Sequence, residues 1–436
     1  MTISVATVFP QLYRDFLSTS LIKRAQEKGA VSFDIVGFAD VCAPKERLDG
    51  PTVGHGVGMA IRPEVIERIV AQQEQRHGVA YKIFVTPQGK RLDQRLARQL
   101  GDTLNRQKHV MFFAGRYEGI DQRAHTEYAD LEISIGDYVV MGGDLPVMVA
   151  LEAALRYMPG VVGQGDSVEK DSFTGPFVDY PTYTVPPREW RGHGVPEVLL
   201  SGNHAAMEQW RYEHAVQRSV KEHFEWVRKS PVLTKKDKQQ IKKSMPAHYV
   251  ALMHDLVVVN GEGLVGTSSV ASLDIHDIAR SSRTYGIARY FLVTPLKDQQ
   301  EIVKTFLGFW REAGVSYNEN RAEAISIVAL HAHLDESIAS IRQETGKDPL
   351  IIATSARPYE GIPAISYYDQ ERVWSHDRPV LFLFGTARGL SRELIERCDY
   401  LLGPIDGLSD FNHLSVRSAV AIILDRWIGL NPLRIG

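Results

Sequence analysis

Two stretches of this chain are near-copies of each other, and no other feature limits the fold as tightly. Residues 131–160, LEISIGDYVVMGGDLPVMVALEAALRYMPG, align without a gap on residues 400–429, YLLGPIDGLSDFNHLSVRSAVAIILDRWIG. Each begins as a strand, passes through an Asp/Gly-rich loop and ends in an apolar helix that starts near Pro146 or Ser415. Just upstream, VMFFAGRYEGID (110–121) matches VLFLFGTARGLS (380–391), which sets Gly115 over Gly385 and Gly119 over Gly389. Further upstream, KIFVTPQG (82–89) has two candidate partners, FLVTP at Phe291 and LIIATSAR at Leu350. Spacing decides between them. Thr86 lies 29 residues before Gly115 and Thr354 lies 31 before Gly385, whereas Thr294 lies 91 before it. Three strand-end loops recurring in one order predict two related α/β domains.

A chain of 436 residues is long enough for two or three cores, and its 44% hydrophobic and 24% charged content argues against disorder. The opening TISVATVFPQLY reads as a strand entering a helix rather than a secretory leader. The longest apolar stretch, 139–162, is interrupted by Asp144, Glu152 and Arg156, too charged for a bilayer span. Cys42 and Cys398 lie in different halves and supply neither a disulfide framework nor a zinc set. A cytoplasmic chain with no membrane contact and no metal site is the expectation. The net charge of −3 gives nucleic acid little overall attraction, but residues 229–243 hold six lysines and one acid. A solvated helix face and a phosphate-contact surface fit that run equally well.

Apolar strands at 82–85 and 110–113 with a helix at 91–104 between them favour a parallel sheet, whose ligands collect at the carboxyl ends of the strands. Thr86-Pro87-Gln88-Gly89, Gly115-Arg116-Tyr117-Glu118 and Ser134-Ile135-Gly136 all fall there. Gly142 and Gly143 keep the next loop free of side chains, so its backbone can close around a flat ligand. Pro146 then sits in a first helical turn, where its missing N–H costs nothing. The loop Gly54-His55-Gly56-Val57-Gly58 lacks the G-x-G-x-x-G spacing, so an NAD-dependent oxidoreductase has only that loop to rest on. A flexible loop over a site is expected there, with His55 as a hydrogen-bonder. After an irregular Pro-rich segment, a helix is expected from about 205 to 229, capped from within 201–204. Beyond Pro246 a second domain starts with a strand at 249–259, and a further strand at 290–294 predicts a larger sheet.

The motifs FVTPQG (84–89), GRYEGID (115–121), SIGDYVVMGGDLP (134–146), RYMPGVVG (156–163), EKDSF (169–173) and VPEVLLSGNH (195–204) occur in one order, and with them residues 1–243 resemble the TrmD family of tRNA (guanine-N1)-methyltransferases. The resemblance implies the SPOUT fold, an α/β domain whose carboxyl-terminal segment makes a deep trefoil knot, exceptional among proteins. It implies S-adenosylmethionine folded into the knot against Phe84, Val85, Thr86, Pro87, Gly115, Ser134, Ile135, Gly136, Tyr138, Val140, Gly142, Gly143 and Pro146. It places Asp171 as the base that takes the guanine N1 proton and Arg156 as the cation beside O6. Glu118 would hold the guanine edge and Arg116 the loop. The substrate implied is tRNA with a guanosine just 3′ of the anticodon, bound by a homodimer in which one subunit's linker completes the other's site. Mg2+ is associated with the family's catalysis.

This sequence departs from the family pattern at Val53, where a Tyr is usual, at Asp144 in GGDLP, and in PTYTVP (181–186), which lacks a His and an Arg. The last change keeps a second class of function in view, a nonenzymatic tRNA-binding protein that senses S-adenosylmethionine. Residues 247–436 resemble another SPOUT group of RNA methyltransferases through LDIHDIARSSRTYG (273–286), IIATSAR (351–357), FGTARGLS (384–391) and DFNHLSVRSAVAIILDR (410–426). By analogy Thr354, Gly385, Ile405, Leu414 and Ser415 line a second cofactor pocket, while Arg280, Arg283 and Arg357 face RNA. Two roles stay open for this half: a second methyl transfer using an arginine or an asparagine such as Asn412, or binding without reaction. The expected domains are thus 1–175, a knotted methyltransferase domain; 176–246, a linker and helical tRNA-binding region; and 247–436, a second SPOUT domain with an unknown RNA target.

Overall fold

The computed structural model describes residues 1–54, 56, 58–162 and 171–430. The chain divides into two compact units, Met1–Thr174 and Gly175–Gly436.

In the first unit β1 (Thr2–Thr7), β2 (Ser32–Gly37), β3 (Tyr81–Arg91), β4 (His109–Ala114) and β5 (Leu131–Ser134) form an all-parallel sheet in the order β2-β1-β4-β3-β5. Every residue of β4 is buried, as a central parallel strand covered on both faces requires. Its side chains alternate between two cores, Val110 and Phe112 in one and Met111 and Phe113 in the other. Helix α1 (Gln94–Arg106) is capped by Asp93, whose carboxylate accepts from Leu96 N at 2.8 Å. The strand before α1 runs on to Arg91, so the helix begins later than the expected residue 91. The extension contains a bulge: Val85 and Lys90 both face Ile133, and residues 86–89 loop out between them. Helix α2 (Asp144–Leu155) packs Val147, Ala150, Leu151 and Ala154 onto the sheet.

In the second unit a short hairpin (Glu189–Trp190, His193–Gly194) and one helical turn (Glu197–Leu200) precede three helices, α3 (His204–Glu222), α4 (Phe224–Lys229) and α5 (Lys235–Ser244). The single helix expected over 205–229 is broken at His223, which leaves helical geometry with φ −141° and ψ 36°. Asn203 caps α3 by accepting from Ala206 N at 3.1 Å. Then come β6 (His248–Met253), α6 (Ser272–Thr284), β7 (Arg289–Val293), β8 (Val328–His331), β9 (Leu350–Thr354), β10 (Ala364–Ile365), β11 (Val380–Gly385), β12 (Tyr400–Leu402) and α7 (Val416–Ile428). The seven strands among these form one parallel sheet, in the order β8-β7-β6-β11-β9-β12-β10, and two short antiparallel hairpins lie elsewhere in the unit. The inner five, β7-β6-β11-β9-β12, reproduce β2-β1-β4-β3-β5 strand for strand. Thr354 ends β9, the neighbour of β11, as Thr86 follows the paired start of β3, the neighbour of β4. Thr294 ends up beyond β6 on the other side, which agrees with the choice made from spacing. Both sheets are mostly parallel α/β sheets of the kind expected.

Candidate functional site

The first unit has a cavity of about 300 Å³ where the carboxyl ends of β3, β4 and β5 meet. Three local features make it. The four-residue bulge carries Thr86, Pro87 and Gln88 to its wall, and Gly89 returns the chain so close to β5 that a Cβ there would overlap Ile133 N. Ser134 holds its own turn by donating to Gly136 O at 3.0 Å. Gly143 lies across the end of β4, its N–H donating to Gly115 O at 2.7 Å, and a Cβ on it would stand 2.8 Å from Ala114 Cα.

Of the residues expected to hold a cofactor, Val85, Thr86, Pro87, Gly115, Ser134, Ile135, Tyr138, Val140, Gly142, Gly143 and Pro146 line this cavity. Phe84 does not: its ring is fully buried and stacked on Phe113 with centroids 4.3 Å apart. An alternating strand that sets Val85 toward one face must turn Phe84 to the other. Gly136 is also outside the lining, and a Cβ on it would meet the Tyr138 ring at 2.5 Å.

Arg116 and Glu118 line the cavity. Arg116 donates to Met141 O at 3.1 Å and through Nε to Asp144 at 3.2 Å, and its guanidinium lies 4.7 Å from the Phe9 ring centroid. Asp144 is 1% exposed and also accepts from Thr7 Oγ1 and, at 3.3 Å, from the Tyr13 hydroxyl. Burial, with the Asp144 carboxylate beside it, pushes the Tyr13 hydroxyl well above its ordinary value, so it stays a donor. Glu118 is exposed, and its N–H donates to Met59 O at 2.9 Å, tying it to the hairpin Asp49–Pro51 and Met59–Ile61. His55 and Val57 at the hairpin's tip lie outside the described residues, as do Gly163 of RYMPGVVG and Glu169 and Lys170 of EKDSF.

Arg156 and Asp171, fifteen residues apart, form an ion pair, both partly exposed and neither in the cavity lining. Asp171 also accepts through its carbonyl from Thr174 Oγ1 at 2.6 Å. Sequence reasoning missed His125, a cavity-lining imidazole 9% exposed whose Nδ1 lies 2.5 Å from Glu132 Oε1. It also missed Thr7 and Tyr13, the partners of Asp144. A buried acid in the first turn of an apolar helix needs such partners, and that is the signal that points to them.

The second unit has a larger cavity, about 940 Å³, at the equivalent edge. Thr354, Gly385, Ile405, Leu414 and Ser415 all line it, with Arg357 and Asn412. Thr354 Oγ1 donates to Leu383 O at 2.8 Å, Asn412 donates to Ala356 O at 3.3 Å, and Ser415 caps α7. Arg280 and Arg283 are not in the lining; Arg283 donates to Glu323 at 3.1 Å. Among the described residues no helix is long and apolar enough to cross a membrane, and no group of three or more His, Cys, Asp or Glu is placed to hold a metal ion.

Comparison with known families also finds two parts, but sets the boundary beyond α4 rather than at residue 174. Residues 1–229 match tRNA (Guanine-1)-methyltransferase TrmD, and residues 247–429 match a family described as SAM-dependent RNA methyltransferase. A tRNA (guanine-N(1)-)-methyltransferase of Oleidesulfovibrio alaskensis is 35% identical over 98% of this chain and 99% of its own length. Its namesake from Nitratidesulfovibrio vulgaris is 33% identical over the same shares. That of Anoxybacillus flavithermus is 38% identical but matches only 53% of this chain while 91% of its own length is covered.

Proposed function

The chain belongs to the tRNA (guanine-1)-methyltransferase family, and from that premise we propose that its first unit transfers a methyl group from S-adenosylmethionine to N1 of the guanosine just 3′ of the anticodon in tRNA. The observation that carries the reading is the cavity at the ends of β3, β4 and β5, walled by glycine-loop backbone and by Val85, Pro87, Ile135 and Val140. Backbone N–H and C=O groups read the edge of an adenine, and flat apolar side chains cover its faces, so the lining fits the cofactor. S-adenosylmethionine supplies an electrophilic methyl on a sulfonium when bound there. Arg116, anchored on Asp144 and Met141, keeps the 138–143 loop closed over that space.

The Arg156–Asp171 pair supports the acceptor half of the reading. Guanine presents an N1–H donor beside an O6 acceptor, the pattern complementary to a carboxylate beside a guanidinium. Its edge inserts between the two groups, taking Arg156 at O6 and Asp171 at N1–H. Asp171 removes the proton, and Arg156 stabilises the charge that develops on O6, which an aspartate too weak to act alone requires. Glu118 holds the remaining guanine edge. The crossing of residue 143 over the end of β4 is the feature we assign to the trefoil knot, and α2's exposed apolar face to the homodimer. A magnesium requirement is tested by chelation.

Asp171→Asn should cut incorporation of labelled methyl as 1-methylguanosine at least 100-fold, with cofactor affinity by calorimetry within about threefold of the parent. A variant that keeps its rate removes Asp171 from the role of base. Cofactor binding with no methyl transfer by the parent chain would favour the sensing protein instead.

A further inference from the structure

The helices that carry the lysine cluster are part of the second unit's core. Val216 and Val220 of α3, Phe224 and Val227 of α4 and Ile241 of α5 are buried in one cluster with Val250, Leu252, Phe382 and Trp427 around the second sheet. The Phe224 and Trp374 rings meet edge to face at 5.0 Å. Arg228 of α4, 7% exposed, donates to the carbonyls of Asp425 at 2.8 Å, Arg426 at 2.7 Å and Gly429 at 3.1 Å. Asp425 and Arg426 are in the last turn of α7 and Gly429 is its C-cap, so Arg228 clasps the end of that helix, where carbonyls run out of helical donors. At its other end α7 starts from Ser415, on the wall of the 940 Å³ cavity. α4 and the cavity therefore share one rigid element.

Charge on α5 faces solvent. Lys235, Lys236, Lys238, Lys242 and Lys243 are exposed, whereas the helix's one acid, Asp237, is 8% exposed and spends its carboxylate on Thr234 N at 2.8 Å and the Tyr212 hydroxyl at 2.7 Å. A surface of this kind binds RNA phosphates. The cavity adds Arg357 and Arg388 to its lining, and Phe411, 79% exposed, stands next to its lining residue Asn412 as a platform on which an unstacked base can lie.

We propose that the RNA served by the second unit is tRNA itself, so that one chain methylates two positions of the same class of molecule. The inference rests on the proposed function, methylation of tRNA, and on taking the lysine-bearing helices as the surface that grips that tRNA. Since they belong to the second unit's core, any RNA they hold is held by the unit that carries the second cavity. Transfer there breaks the methyl–sulfur bond, the sulfur keeping the electron pair and leaving as a neutral thioether. A lone pair on the tRNA acceptor atom forms the new bond to carbon, and a proton on that acceptor passes to water.

The test uses the full chain, labelled S-adenosylmethionine and two RNA pools, unmodified tRNA transcripts and total RNA depleted of tRNA, with nucleoside mapping. The parent should give 1-methylguanosine and a second methylated nucleoside, both in tRNA. Asp171→Asn should keep only the second, Arg357→Ala should reduce the second at least tenfold while sparing 1-methylguanosine, and the triple change of Lys235, Lys236 and Lys238 to Glu should reduce both. A second nucleoside confined to the depleted pool, or absent from both pools while 1-methylguanosine forms, overturns the proposal and leaves the first-site reading intact. A parent that makes only the second nucleoside in tRNA has the opposite meaning, and one that labels nothing ends both.

Discussion

Asp144 shows how one side chain sets the shape of the first cavity. It is nearly inaccessible yet gathers Thr7, Tyr13 and Arg116, and Arg116 in turn holds Met141 O. Substituting Ala leaves the buried Thr7 hydroxyl without its acceptor, leaves the Tyr13 hydroxyl only the backbone oxygen of residue 144 at 3.5 Å, and removes the carboxylate that anchors a guanidinium lining the cavity. Asp144→Ala should therefore cost about 3 kcal/mol or more in urea unfolding and weaken S-adenosylmethionine binding at least tenfold. Asp144→Asn, which keeps an acceptor oxygen, should cost less than half of that. Equal affinity in the Ala variant, measured by calorimetry, would show that the arginine does not govern the loop.

At the scale of elements, the second unit is built around a histidine that has to stay neutral. His248 begins β6 and is 4% exposed; its Nδ1–H donates to Pro246 O at 2.7 Å, and its Nε2 accepts from Trp374 at 3.3 Å and Trp427 at 3.1 Å. A second proton has nowhere to point, and burial holds this imidazole down at about 4 against an ordinary 6.5. The unfolded chain takes up a proton as pH falls through 6.5 while the folded one resists until about 4. Stability is thus complete above 6.5 and declines between 6.5 and 4, by about 3 kcal/mol for this group. His254, held at about 4 by burial as well, acts in the same direction. His248→Gln, which keeps both a donor and an acceptor, should flatten the pH dependence of the second unit's unfolding between pH 5 and 7; an unchanged slope removes His248 as its source. None of this was legible in the sequence, where His248 is one of fifteen histidines. What could be read were features with a local cause: strand-end glycines, the paired repeats and the apolar strands that follow from a parallel sheet. The buried faces of α3 and α4 could not, because the charges of residues 229–243 point to solvent, while the burial of Val216 and Val227 depends on a core that includes Trp427 and that of Arg228 on carbonyls some 200 residues away.

For the whole molecule, α2 supplies the argument for a pair of chains. One face packs on the first sheet, yet on the other Leu145 is 65% and Val149 47% exposed, and the loop before it leaves Val139 82% and Met141 93% exposed. Glu152 is the charged residue exposed beside them, and an apolar patch of this size loses hydrophobic free energy in water unless it is covered. A second copy placing the same patch against it by a two-fold axis covers both at once. The double variant Leu145→Glu, Val149→Glu puts like charges on both sides of that contact and leaves the buried face alone. It should sediment as a monomer at micromolar concentration, with far-ultraviolet circular dichroism and thermal midpoint close to the parent's. Methyl transfer to tRNA should fall at least 100-fold, since in the proposed dimer one subunit's linker completes the other's site. A variant that stays dimeric would move the interface elsewhere. One that is monomeric and fully active would show that a single chain holds the complete site, with the Arg156–Asp171 pair of its own first unit serving its own cavity.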